Sequence, residues 1–122
     1  MQTQKFSLKK RAKSFRFAFE GLHYFFNTQH NAIVHALATL AAIALAVIAQ
    51  LPMTKFLIII MVIGLVWMAE LFNTAIEQLC DMVSPQQNAR IKYIKDVAAA
   101  AVLVTALVAL VTACIIFIPI LL

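Results

Sequence analysis

The sequence predicts an all-α membrane protein: an N-terminal amphipathic surface helix followed by three transmembrane helices. Three observations lead there. Of its 122 residues, 64% are hydrophobic and only 12% charged, far from the balance of a soluble domain. Only two glycines and three prolines interrupt the chain, so its apolar runs are long enough to satisfy their own backbone groups as helices inside a bilayer. The basic residues are also segregated. Six of the ten, Lys5, Lys9, Lys10, Arg11, Lys13 and Arg16, precede the first apolar run, where they suit an anionic membrane surface better than nucleic acid. The length is that of one domain, residues 1–122.

Residues 1–4 precede any periodic pattern and are expected to be loose. From 5 to 27 basic residues alternate with aromatic ones, and Phe15, Phe19, Leu22 and Phe26 fall at i, i+4, i+7 and i+11, an apolar helical face. A basic, aromatic amphipathic helix reads as lying in the membrane interface. Its charged region is too long for a signal peptide, and no small-residue cleavage pattern follows closely. The first span covers 31–50, with His35 and Thr39 as its conspicuous polar side chains, on one face and expected to point inward. Its many alanines favour close helix approach. Pro52 breaks the chain, and the second helix runs over 54–83. Residues 84–88, Ser-Pro-Gln-Gln-Asn, have turn chemistry. The third helix, 89–121, carries Arg90, Lys92, Lys95 and Asp96 at its head and no charge thereafter, with Pro119 expected to fray its last turn. The N-terminal arm has six Lys/Arg and the start of the third helix three, against Lys55 alone in the first connection. The positive-inside rule therefore places the N-terminus in the cytoplasm and the C-terminus outside a multi-pass cell-membrane protein.

Residues 70–81, ELFNTAIEQLCD, hold three of the five carboxylates and follow fourteen uncharged residues. At about 100° per residue, Glu70, Glu77 and Asp81 fall within about 20° of one line, with Thr74 about 40° to one side and Asn73 about 60° to the other. Such a stripe is suited to holding something positive. Counting from Thr54, Glu70 lies about 24 Å along the axis, Glu77 about 34 Å and Asp81 about 40 Å, against a hydrocarbon thickness of about 30 Å. Glu70 would then meet a lipid headgroup, and Glu77 and Asp81 a soluble ligand. Intramembrane carboxylates are costly and usually functional; the alternative is a structural polar contact between helices, or a protonated Glu70. Lys92, Lys95 and Asp96 share a face on the next helix. No phosphate-binding glycine loop, no Ser/His/Asp set and no zinc spacing is present. Cys80 and Cys114 read as buried small hydrophobes rather than a disulfide.

The stripe resembles the signature of the small prokaryotic diacylglycerol kinase family, roughly E-x-x-N-[ST]-[SA]-I-E-x-x-x-D. Residues 95–103, KDVAAAAVL, match that family's second block at the expected spacing. The N-terminal FEGLHYFF…N…H pattern and the proline near the C-terminus look closer to the undecaprenol kinase branch. The resemblance implies a three-span homotrimer with a surface helix that phosphorylates a membrane lipid alcohol with ATP and Mg²⁺. It implies Glu70 as general base, Glu77 as Mg²⁺ ligand, Asn73 as an orienting group with Thr74 and Asp81 in support, Lys95 offsetting phosphate charge and Asp96 holding the nucleotide. It also implies that Lys10, Phe17, Gln86, Gln87 and Asn88 flank the ATP.

One position departs from the family. Where a glutamate usually shares the metal with the residue at Glu77, this chain has Gln29, followed by His30 where the undecaprenol branch often has arginine. Gln29 is thus carried over as both an ATP-side and a metal-adjacent residue. Its amide oxygen brings no charge, so a weaker metal site is expected. Undecaprenol is the expected acceptor, with diacylglycerol the alternative. A non-catalytic homologue is the reading that Gln29 favours, and Mg-ATP binding discriminates it from a kinase. A transporter is disfavoured because the acids lie at one end only.

Overall fold

The computed structural model describes residues 5–86 and 88–122; the expectation for residues 1–4 and the role assigned to Gln87 lie outside them. The described residues form four helices: α1 (Leu8–Thr28), α2 (His30–Ile48), α3 (Met53–Val83) and α4 (Ala89–Leu121). Helices α2, α3 and α4 are each long and apolar enough to cross a membrane. The chain divides into two compact units, Met1–Val34 and His35–Leu122, with the boundary early in α2.

In the first unit Ser7 caps α1, its hydroxyl accepting the Lys10 N–H at 3.5 Å. The helix exposes Phe15, Phe17 and Phe19 among its lysines and arginines, the composition of a helix that rests on a membrane surface. Its polar side chains bond locally: Arg16 to Glu20 at 3.1 Å and Asn27 to His23 at 3.0 Å. At the far end Phe25 is buried, with its ring edge-on to Phe26. The helix stops at Gln29, which is extended (φ −112°, ψ 117°) and closes the last turn through its own N–H to the Phe25 carbonyl. One residue later α2 begins, and the Gln29 carbonyl accepts the Ala32 N–H.

In the second unit α2 ends in a two-bond C-terminal cap. Gln50 adopts φ 53°, its N–H bonds the Val47 carbonyl, and the Leu51 N–H reaches back to the Ala46 carbonyl. This is the Schellman arrangement, in which the carbonyls left over at a helix end find partners. Its usual apolar contact is present too, because Leu51 packs on the cluster formed by Ala46, Ile59, Ile116 and Phe117. That cluster ties the three helices together at the end remote from the acids.

Most large apolar side chains along the spans stay exposed, Leu37, Leu40, Leu65 and Leu107 among them. In water this would be a liability; in a bilayer it is the lipid-facing surface, and helices associate through small side chains and hydrogen bonds instead. Ala42, Ala46 and Ala113 supply such contacts. Two expectations need correction. Cys114 is exposed rather than buried, and with Cys80 it is free; an apolar thiol on a lipid-facing surface has no need of burial. The last turn of α4 also stays helical through Pro119. A proline there removes one donor near a helix end, and the Leu122 N–H still bonds the Ile118 carbonyl at 3.1 Å.

Candidate active site

Helix α3 has 31 residues, about 46 Å at 1.5 Å per residue, so it runs past the apolar zone and carries its acids out at the far end. Glu70 is the only buried charged residue among the described residues, at 6% exposure. Burying a carboxylate is expensive unless its charged form is hydrogen-bonded. The partner is His35 on α2, whose Nε2 lies 2.6 Å from Glu70 Oε1. A turn away a second rung links the same helices: Trp67 Nε1 donates to Thr39 Oγ1 at 2.8 Å. The His35 and Trp67 rings lie 6.2 Å apart, tilted at 59°. Interhelical bonds of this kind average about 0.6 kcal/mol in a membrane, so their main effect is to fix register and side-chain orientation.

Next to these rungs α2, α3 and α4 line a half-open cavity of about 360 Å³. His35, Thr39 and Trp67 form its polar end, and Ala42, Ala109 and Ala113 leave the room along it. The volume is that of an ordinary small-molecule site, with an apolar wall leading to His35, the partner of Glu70.

The next turns of α3 bring Asn73 and Glu77 together. Asn73 Nδ2 donates to Glu77 Oε1 at 3.3 Å, while Asn73 Oδ1 is buried with no hydrogen-bond partner. Thr74 is half-buried alongside. Beyond them Asp81 Oδ1 accepts from Lys95 Nζ at 2.6 Å, joining the ends of α3 and α4. Lys92 Nζ donates to Asp96 Oδ2 at 2.7 Å on the α4 surface.

The connection between α3 and α4 is held by its own polar atoms. Asn88 Oδ1 caps α4 by accepting the Ile91 N–H at 2.8 Å, Asn88 Nδ2 donates to Ser84 Oγ, and that hydroxyl donates to the Gln86 carbonyl. Asp81, Gln86, Asn88 and Lys95 together line a hollow of about 110 Å³, too small for a whole nucleotide. Of the residues singled out in the sequence, Glu70, Asn73, Thr74, Glu77 and Asp81 thus follow one another along α3, and Gln86, Asn88 and Lys95 meet at its end. Asp96 faces Lys92. Lys10, Phe17 and Gln29 belong to the first unit, where Lys10 and Phe17 are exposed and Gln29 is half-buried.

The sequence did not identify His35 as the partner of Glu70, nor the bond from Trp67 to Thr39. The available signal was the i, i+4 polar pair His35/Thr39 in an otherwise apolar span; which helix it would face was not written in the spacing.

The profile of the family described as prokaryotic diacylglycerol kinase matches residues 16–117. The chain belongs to the prokaryotic diacylglycerol kinase family. It is 34% identical over 107 residues to an undecaprenol kinase of Bacillus subtilis, covering 88% of this chain and 87% of that one. It is 35% identical over 99 residues to a diacylglycerol kinase of Synechocystis, covering 80% of this chain and 57% of that protein. A member of this family is a multi-pass membrane enzyme, a lipid kinase whose chemistry is ATP-dependent phosphoryl transfer to a lipid. The family's reaction implies a divalent metal with the nucleotide, and the donors present fit one. The Glu77 carboxylate, bonded by Asn73 Nδ2, and Asn73 Oδ1, buried without a partner, are hard oxygens on consecutive turns of α3, the kind of donor that suits Mg²⁺ held by few protein ligands and by phosphates. No cluster of three or more His, Cys, Asp or Glu is gathered among the described residues, so these residues by themselves form no closed metal cage.

Proposed function

We propose that the chain phosphorylates undecaprenol with ATP, at a cytoplasmic active site built along α3 and completed by neighbouring protomers in a homotrimer. The observation that carries this reading is the buried Glu70 carboxylate, hydrogen-bonded to His35, which lines the polar end of an apolar cavity between the spans. A lipid tail suits the cavity and would bring its terminal hydroxyl to the end lined by His35, the residue that bonds Glu70. Glu70 acts as general base, a role in which a positioned group contributes about 10²–10⁴-fold. Glu77, with Asn73 and Gln29 beside the metal, would hold Mg²⁺, which supplies charge neutralisation at the phosphates. Lys95 offsets phosphate charge, and Lys10, Phe17, Gln86, Gln87, Asn88 and Asp96 flank the nucleotide. Phosphoryl transfer demands mainly positioning and electrostatic stabilisation, so a helix stripe without a phosphate-binding loop is sufficient.

The similarity to the undecaprenol kinase, over nearly the full length of both chains, supports the prenyl acceptor. The similarity to a diacylglycerol kinase at nearly the same identity makes diacylglycerol the second reading. The test is ATP-dependent phosphorylation of each lipid in mixed micelles. Undecaprenol turned over at least about tenfold faster in kcat/KM, a difference of about 1.4 kcal/mol, is the expected result. Preference for diacylglycerol would transfer the assignment, and no product from either would remove both.

A further inference from the structure

Glu70 has two carboxylate oxygens, and among the described residues only one of them, Oε1, has a hydrogen-bond partner. His35 Nε2 lies 2.6 Å from Oε1, a close hydrogen-bond distance. An ionised Glu70, as a general base must be before it acts, can only accept, so Nε2 then carries the proton and His35 is the donor. The ring is itself confined: its side chain is 22% exposed, it lines the apolar cavity, and it lies against Trp67, which is tied to Thr39 on His35's own helix. A carboxylate held by one oxygen in a fixed rotamer leaves the other free to receive a proton.

We propose that His35 is the positioning residue of the general base: it holds Glu70 by Oε1 and so presents Oε2 to the lipid hydroxyl. This rests on the reading of Glu70 as the base. In the transfer the lipid oxygen forms a bond to the γ-phosphorus as its proton passes to Glu70 Oε2. The bond from that phosphorus to the β–γ bridging oxygen breaks, and the electron pair leaves with ADP. His35 keeps its own proton throughout, so it orients the base and offsets the cost of its buried charge without joining the chemistry.

The test is mixed-micelle kinase kinetics on the full chain with His35→Ala, His35→Gln, His35→Asn and Glu70→Gln, and with the Ala and Gln changes combined. A glutamine amide nitrogen reaches the position of imidazole Nε2, whereas an asparagine amide falls short of it. His35→Ala should lower kcat about 100-fold with KM for ATP within about twofold, the pattern of a lost transition-state contribution. His35→Gln should recover at least about tenfold of that loss and His35→Asn almost none. The double variant should be no slower than Glu70→Gln alone, because groups acting as a unit are not additive. Wild-type kcat in His35→Ala, equal rates for the Gln and Asn variants, or a His35→Ala loss that multiplies on Glu70→Gln would each overturn the proposal. If His35→Ala does not fold, the Gln–Asn comparison decides. A Glu70→Gln enzyme of normal rate would remove the base assignment itself, whereas failure of the His35 series alone leaves that assignment standing.

Discussion

In the proposed site Gln29 would bring an uncharged side chain where the family resemblance implies a carboxylate, and the chemistry of Mg²⁺ makes the difference measurable. An amide oxygen can bind the ion but would add no charge to the proposed metal site, with Glu77 and the neutral Asn73. Gln29→Glu should lower the Mg²⁺ concentration for half-maximal ATP binding by about tenfold, or about 1.4 kcal/mol. An Mg²⁺ titration of nucleotide binding checks this without turnover, and an unchanged midpoint would separate Gln29 from the metal. Individual residues also mark where sequence reasoning stopped. The stripe of Glu70, Glu77 and Asp81 was legible because helical periodicity fixes which residues of one segment share a line. The partner of Glu70 was not, because the contact spans thirty-five positions and depends on how α2 rotates against α3. Asn73 Oδ1 was equally hidden, since only packing leaves an amide oxygen buried and alone.

The elements themselves were readable from length, apolar runs and breakers, and the ends of α3 and α4 fall within a residue of expectation. The end of α2 was not, since its left-handed residue is a glutamine instead of the customary glycine or asparagine. Gln50→Gly should therefore stabilise the protein by about 0.5 kcal/mol, the αL penalty less the extra freedom glycine gains when unfolded. Thermal denaturation in detergent reads it, and a lower midpoint would mean that the Gln50 side chain has a role of its own. The bond between Asp81 and Lys95 also joins two elements, α3 and α4, but it lies among exposed atoms, where ion pairs contribute little to stability. Lys95→Met should reduce kcat/KM for ATP by at least about 30-fold while moving the thermal midpoint by no more than about 2 °C. A large fall in the midpoint would recast Lys95 as a structural tie.

For the molecule as a whole, a single chain with so little buried surface gives little enclosure to the chemistry proposed for it, and the proposed homotrimer would supply more. The described core is a small cluster at one end of α2–α4, and the acids of α3 lie at the other. Neighbouring copies packing against the alanine-rich spans would complete the site. Crosslinking in detergent micelles should give trimers as the limiting species, and only monomers would count against the assembly. Three spans with basic residues at the N-terminal arm and before α4 also predict that the N-terminus and the loop at 84–88 share the cytoplasmic side, which accessibility labelling of single-cysteine variants reads directly.

The cavity beneath Glu70 carries one more consequence. A hydroxyl that reaches its base from between the spans arrives by lateral diffusion, in two dimensions. The quantity that sets the rate is then the mole fraction of lipid in the surface, not its amount per volume of solution. Adding inert detergent at fixed lipid and fixed ATP should slow the enzyme by surface dilution, and adding buffer at a fixed lipid-to-detergent ratio should not. A kinase whose acceptor came through water would respond the other way round.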